Sequence, residues 1–238
     1  TPLNGIMGFA QLVSMSNDAP ASVHEYGGHI EASAEHLLAL INELLDFGRI
    51  EAGAVQIEPE QITLERALRT VMELITVQAR AKGLEFLSEF EATSSLVLHV
   101  DVKRLRQVLL NLLTNAVKFT QQGTIRLRIA VHDGSLRFEV SDQGVGIEAV
   151  DLQRLFVPFS QVGKRAFRSQ GLGLGLAISQ QLVQAMGGEI TVTSKPGQGS
   201  TFAFTLPCIN PAAAPSTGSR PTQSARGKHR LTALYVED

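Results

Sequence analysis

The chain holds a single cysteine, Cys208, so an internal disulfide is excluded and nothing calls for an oxidising compartment. No apolar run approaches the roughly 20 residues that span a bilayer, and no secretory leader precedes the first structured segment. These absences give the expectation of a cytoplasmic chain, with any membrane attachment supplied by an absent upstream region. Charge of one sign is also lacking. A net charge of −2 gives no general attraction to nucleic acid or to an anionic membrane surface, so no nucleic-acid partner is expected. What the chain does have is 44% hydrophobic residues in 238, enough for one large domain or two small ones. It starts at Thr1 rather than Met and stops on Glu237-Asp238, which gives the expectation of a piece cut from a longer protein.

Two helical periods open the chain. Leu3, Ile6, Ala10 and Val13 recur at spacings of three and four over residues 1–15. After a break at Asn17-Asp18-Ala19-Pro20, Ile30, Ala34, Leu37, Ile41, Leu44 and Gly48 do the same over residues 21–51. Alternating spacings of this kind form the seam of a helical hairpin at coiled-coil geometry. Two helices bury little, so the natural completion is a four-helix bundle built by two copies; packing of the hairpin on its own chain is the alternative. Residues 1–54 form the first unit, closed by Gly53.

Residues 55–207 change to an α+β pattern. Strands are expected at Val55–Ile57, Leu84–Phe90, Ser95–Val100, Thr124–Val131, Ser135–Asp142, Glu189–Ser194 and Ser200–Leu206. Helices are expected at Leu64–Lys82, from the N-cap Asp101 to Phe119, and at Gly173–Met186. Antiparallel strands with helices on one face make a two-layer α/β sandwich. Residues 208–230, rich in Pro, Ala, Ser and Thr, with Arg220, Arg226, Lys228 and Arg230 and no acid, read as a flexible linker. Residues 231–238 are a short apolar run ending in two acids.

Four segments of the second unit carry chemistry. Asn111, Asn115 and Lys118, spaced four and three apart, share one helix face. Amide oxygens are hard ligands suited to Mg²⁺, and a lysine one turn on can meet phosphate; a polar face turned to water is the other reading. Asp142-Gln143-Gly144-Val145-Gly146 puts an acid at a strand end. It can accept from an exocyclic amine, with glycines that let backbone approach a base; an ordinary turn is the alternative. Gly171, Gly173 and Gly175 lead into a helix N-terminus, where free N–H groups bind anions. No strand directly precedes them, which speaks against a dinucleotide fingerprint. Lys164, Arg165 and Arg168 in the loop before them suit phosphate charge or solvated surface equally. The fourth segment, Gly197-Gln198-Gly199-Ser200-Thr201, is a turn into what reads as an edge strand.

In this order, with Phe156-Val157-Pro158-Phe159 between the second and third, the motifs resemble the ATP-binding domain of sensor histidine kinases. Thr1-Pro2-Leu3-Asn4 is similar to the end of their His-Glu-x-Arg-Thr-Pro-Leu box, and Leu44 to Gly53 to the end of their second dimerisation helix. The resemblance covers residues 1–206. The asparagine-to-lysine helix and the Asp-Gly-Gly strand end are shared with gyrase, mismatch-repair and chaperone ATPases; the preceding hairpin and Phe-x-Pro-Phe point to the kinases.

The resemblance implies ATP and Mg²⁺ as cofactors. Asn111 and Asn115 would hold the metal and phosphates, Lys118 would contact phosphate, and Phe119 would lie against adenine. Asp142 would bind the adenine amine beside Gly144 and Gly146. Gly171, Gly173 and Gly175 would hinge a lid, and Thr201 would line the adenine pocket. Thr1 is implicated in a phosphatase step that resets a phosphorylated receiver. The implied partners are a second copy through the hairpin and a response-regulator receiver domain, and residues 231–238 resemble the start of a fused one. The implied activity is phosphoryl transfer from ATP to a histidine and on to a receiver aspartate; a catalytically inert nucleotide-binding scaffold or sensor is the alternative. Two departures stand out. Gln170-Gly171-Leu172 replaces the common Gly-Gly-Thr, and the phosphoacceptor histidine would lie upstream of Thr1. His24, His29 and His36 lack the Glu-x-x-Thr that follows it and read as flank histidines.

Overall fold

The computed structural model describes residues 2–15, 20–53, 55–91, 96–132, 134–161 and 172–207. The hairpin is α1 (Pro2–Ser14) and α2 (Ala21–Glu51). Only the smallest seam residues close completely: Ala10 and Ala34 are buried, and Gln11 Nε2 donates to Glu31 Oε1 at 2.8 Å across the pair. Ile6, Ile30, Leu37, Ile41 and Leu44 remain exposed. The second helix stops where expected, with Gly53 at φ 65° supplying the left-handed turn. Among the described residues no helix is long and apolar enough to cross a membrane.

The α+β unit holds β1 (Glu60–Thr63), α3 (Leu64–Ala81), β2 (Glu85–Phe90), β3 (Val97–Val100), α4 (Val102–Phe119), β4 (Thr124–His132), β5 (Ser135–Asp142), the short α5 (Ala149–Leu152), α6 (Gly175–Ala185), β6 (Glu189–Lys195) and β7 (Gly199–Leu206). Five strands form one sheet in the order β2-β4-β5-β7-β6, while β1 and β3 pair separately. The core lies between the large sheet and α3, α4 and α6. Ile125, Leu127 and Ile129 of β4, Leu136, Phe138 and Val140 of β5, and Phe204 and Leu206 of β7 alternate into it, as the period of a half-buried strand requires. Phe138 and its register partner Phe204 stack at 4.7 Å between ring centroids. The opposite face is polar and carries the pairs Arg126–Glu89 and Arg128–Glu91.

Three expectations need correction. The first strand is at Glu60–Thr63, not Val55–Ile57. Pro59 has no N–H to give a ladder, and pairing with Val97–Val100 begins just after it. The large sheet is mixed rather than antiparallel, because β2 runs parallel to β4 across the β3–α4 connection. The strand that begins at Gly199 is interior, flanked by β5 and β6, so it is not an edge.

Asp101 is the N-cap expected of it, and more. Its Oδ1 accepts from the Arg104 N–H at 3.0 Å, and its Oδ2 accepts from the Glu58 N–H at 3.0 Å. One buried carboxylate thus starts α4 and pins the segment that enters the unit. At the other end of α4, Lys82 Nζ donates to the carbonyls of Val117 and Lys118 at 2.6 and 2.8 Å, satisfying the last turn with a cation. The helix carrying the asparagines is therefore fixed at both ends. The expected break at residues 17–19, the turn at Asp133, the linker 208–230 and the receiver-like residues 231–238 lie outside the described residues.

Candidate functional site

Each polar residue of the site comes from an element held by the core. Leu109, Leu112, Leu113 and Ala116 anchor one side of α4, which turns Asn111, Asn115 and Lys118 to the other. Asn115 Nδ2 donates to Asn111 Oδ1 at 3.3 Å, and Asn111 Nδ2 donates to Ser179 Oγ of α6 at 2.7 Å. The second bond orients the first amide, leaving its oxygen toward Asn115 and the start of α6. There a Cβ on Gly175 would stand 2.5 Å from Asn111 Oδ1, so only glycine lets the helix N-terminus come this near.

Asp142 ends β5 with its carboxylate half-buried. Its Oδ1 accepts from the Gly144 N–H at 2.8 Å. Burial pushes this carboxyl above the ordinary aspartate range, partly offset by the backbone N–H groups of Gly144 and Ser200. The following loop crosses close to its neighbours. Gly146 at φ 67° would place a Cβ 2.0 Å from the Lys195 carbonyl oxygen, and the Ile147 N–H donates to Ser194 Oγ at 2.9 Å.

These residues meet. Asn111, Asn115, Lys118, Phe119, Asp142, Gly146, Gly173 and Gly175 line one cleft of about 650 Å³, with Ile147, Leu172 and Phe202 supplying apolar wall. The volume and the mixture of apolar wall with a few convergent polar groups are those of a small-molecule site. One end offers a half-buried acceptor between apolar walls, suited to a flat base with an amine. The other offers Lys118, two amides and a helix N-terminus, suited to phosphates. Burial lowers the Lys118 ammonium from the ordinary lysine range, with Glu43 acting the other way, and its Nζ lies 5.3 Å from the Phe119 ring centroid.

Two expected residues stand elsewhere. Gly144 is behind Asp142, buried, where it holds the carboxylate through its N–H. Thr201 does not line the cleft; its hydroxyl is 3.0 Å from Ser141 Oγ. Residues alternate across a strand, so Ser200 and Phe202 of β7 face the cleft in its place. Thr1, Lys164, Arg165, Arg168 and Gly171 lie outside the described residues. Among the described residues no group of three or more His, Cys, Asp or Glu could hold a metal. The amide oxygen of Asn111, held by Ser179 and beside Asn115, still offers a hard donor.

Two family models match the chain. The His Kinase A (phospho-acceptor) domain matches residues 1–53, and the histidine kinase-, DNA gyrase B-, and HSP90-like ATPase matches residues 100–210. Over 212 residues the chain is 43% identical to the sensor protein GacS of Pseudomonas syringae pv. syringae, covering 87% of this chain and 23% of that protein. The chain carries the phospho-acceptor and ATPase domains of histidine kinases. Over 246 residues it is 37% identical to the aerobic respiration control sensor protein ArcB of Escherichia coli strain K12, covering all of the chain and 31% of ArcB. It thus spans less than a third of the length of these relatives. Among solved structures it is similar to full-length ShkA in complex with AMPPNP, at a TM-score of 0.76 and 37% identity, covering 87% of this chain and 43% of that one. The matched ATPase fold is the ATP-binding fold of the kinases.

The sequence reading missed Glu43, Ser179 and the β7 residues Ser200 and Phe202. Ser200 and Phe202 were readable in principle, because Asp142 fixes which residues opposite it share a face. Glu43 was not, since nothing local says that a hairpin residue reaches the cleft.

Proposed function

We propose that this chain is the ATP-binding and phosphotransfer part of a two-component histidine kinase. In this reading it passes the γ-phosphoryl group of ATP to a histidine upstream of Thr1, and from there to an aspartate of a receiver domain. One observation carries the reading: the asparagine helix, the Asp142 strand end and the glycine entry to α6 converge on one cleft.

Asp142 accepts from the adenine amine, and the Gly144 N–H keeps its carboxylate aimed. Phe119 and Ile147 flank the base. Lys118 and the N–H groups at the start of α6 bind phosphate oxygens and orient the chain of phosphates outward. Asn111 and Asn115 would hold Mg²⁺, which supplies charge neutralisation on the phosphates. With so little covalent chemistry required of the protein, positioning and charge carry the rate.

The exposed Ile6, Ile30, Leu37, Ile41 and Leu44 support a second copy closing the hairpin into a four-helix bundle. A fused receiver beginning near residue 231 extends the proposed protein. By sequence spacing Thr1 would fall four residues after the proposed phosphoacceptor, where its hydroxyl would orient a water against the aspartyl phosphate.

The experiment compares this chain with one extended upstream through the histidine box, both given labelled ATP. This chain is expected to bind ATP and acquire no acid-labile phosphate; the longer one is expected to acquire it. Labelling at His24, His29 or His36 contradicts the assignment. In the longer chain Thr1→Ala should slow receiver dephosphorylation and spare autophosphorylation; equal loss of both removes the specific role.

A further inference from the structure

Glu43 belongs to α2 of the hairpin, yet it lines the same cleft as Asn111, Asn115 and Lys118. The docking of the hairpin puts it there. Three residues on, Asp46 Oδ2 accepts from Gln107 Nε2 of α4 at 2.9 Å. Four residues on, Phe47 is buried and its ring meets that of Phe159 with centroids 5.9 Å apart. Residues three and four apart share a helix face, so the turn that carries Glu43 is held against the ATPase unit beyond it. The carboxylate is half-buried and acts on the Lys118 ammonium, opposing the effect of burial there.

We propose that Glu43 is an affinity-determining residue of the nucleotide site, a carboxylate supplied by the hairpin that competes with nucleotide phosphates for Lys118. The proposal rests on the reading of the cleft as a nucleotide site. A nucleoside diphosphate brings more than one negative charge to a cleft that already holds a carboxylate acting on the same cation. Charges that are partly withdrawn from water are poorly screened, so the new anion and Glu43 repel while both seek the same ammonium. Nucleotide bound to Lys118 must displace Glu43 or share the cation with it. Coupling is reciprocal: the factor by which Glu43 weakens nucleotide is the factor by which nucleotide weakens the seating of this turn of the hairpin. A divalent cation accompanying the phosphates offsets the repulsion, so the effect is greatest without metal.

The test titrates ADP calorimetrically into the whole 238-residue chain, once in EDTA and once in Mg²⁺, for the unsubstituted chain and for Glu43→Gln, Glu43→Lys and Glu43→Asp. In EDTA, Glu43→Gln should bind ADP about three- to tenfold tighter, equivalent to about 0.7–1.4 kcal/mol. Glu43→Lys should bind tighter still and Glu43→Asp close to the original. The differences should shrink at high salt. Affinity that follows the charge at position 43 is not produced by a residue that only packs. Unchanged or weaker ADP binding in EDTA for both Gln and Lys overturns the proposal. So does a loss confined to the Mg²⁺ arm, which would place Glu43 on the metal instead. If the unsubstituted chain takes up no ADP in either buffer, the nucleotide reading itself fails, and this proposal with it.

Discussion

Phe47 of the hairpin meets Phe159 of the ATPase unit nearly edge to face, with ring planes at 73° and centroids 5.9 Å apart. Phe47 is buried, while Phe159 is more than half exposed and stands at φ 60°, a backbone conformation that a bulky residue rarely adopts. A strained backbone here aims one ring across the boundary between two units.

That pairing should be measurable as coupling. Phe47→Ala, Phe159→Ala and the double substitution, compared by urea unfolding, are expected to give an interaction of about 0.5–1.5 kcal/mol beyond area burial. Phe47→Ala alone should be the larger single loss, because it removes a buried ring. Strictly additive losses would mean that the rings touch without holding the units together.

Asp142→Asn should separate binding from folding. The carboxylate offers a charge-assisted bond of about 1.5–3 kcal/mol to an amine, so adenine nucleotide affinity should fall roughly ten- to hundredfold. Stability should move the other way. The folded-state pKa of Asp142 is raised, chiefly by burial, so the folded chain binds this proton more readily than the unfolded one. This group's contribution therefore falls as pH rises from the unfolded value through the raised folded one, and the ionised carboxylate is a net liability at neutral pH. The unliganded Asn variant is expected to melt at or above the original temperature at neutral pH, and nucleotide affinity of the original should weaken as pH falls toward the raised pKa. A melting temperature several degrees lower in the variant contradicts this account.

Gly146→Ala should damage the site through the backbone. The new Cβ would lie 2.0 Å from the Lys195 carbonyl oxygen at φ 67°. The left-handed conformation alone costs roughly 1–2 kcal/mol for an alanine, and the overlap about 1–3 kcal/mol more. The expected result is a lower unfolding midpoint together with weaker nucleotide binding. Gly134→Ala supplies the control, since a Cβ there meets nothing within 4 Å although φ is also positive at 77°. It should lower stability only by the conformational cost and leave binding unchanged. Equal effects of the two substitutions would show that crowding at the loop is unimportant.

Much of this was legible in the chain of residues alone. The hydrophobic period and the short caps at Asp101 and Gly53 place helices to within a residue or two, because helix ends are local problems of unsatisfied N–H and C=O groups. Asn111, Asn115 and Lys118 declare a shared face by spacing, and Asp142 declares a strand end by the glycines behind it. The strands were placed well wherever a turn bounded them. The errors lie where partners decide: Val55–Ile57 has strand-like residues but no ladder, whereas Glu60–Thr63 finds one in β3. Likewise nothing within β2 says that it will lie parallel to β4, or within β7 that it will be interior.

Sequence by itself therefore determined the periods, the caps and the residue types that can hold a nucleotide. Tertiary structure decided which of them meet. Thr201 and Ser200 are adjacent in the chain, but the pairing of β7 with β5 sends one hydroxyl to Ser141 and the other to the cleft. Glu43 lies 75 residues before Lys118 in sequence and shares its cleft only because the hairpin docks through Asp46 and Phe47. Local rules act over one turn or one strand pair, whereas a site assembled from two units depends on the surfaces they bury together, and that information is spread over residues far apart in the chain.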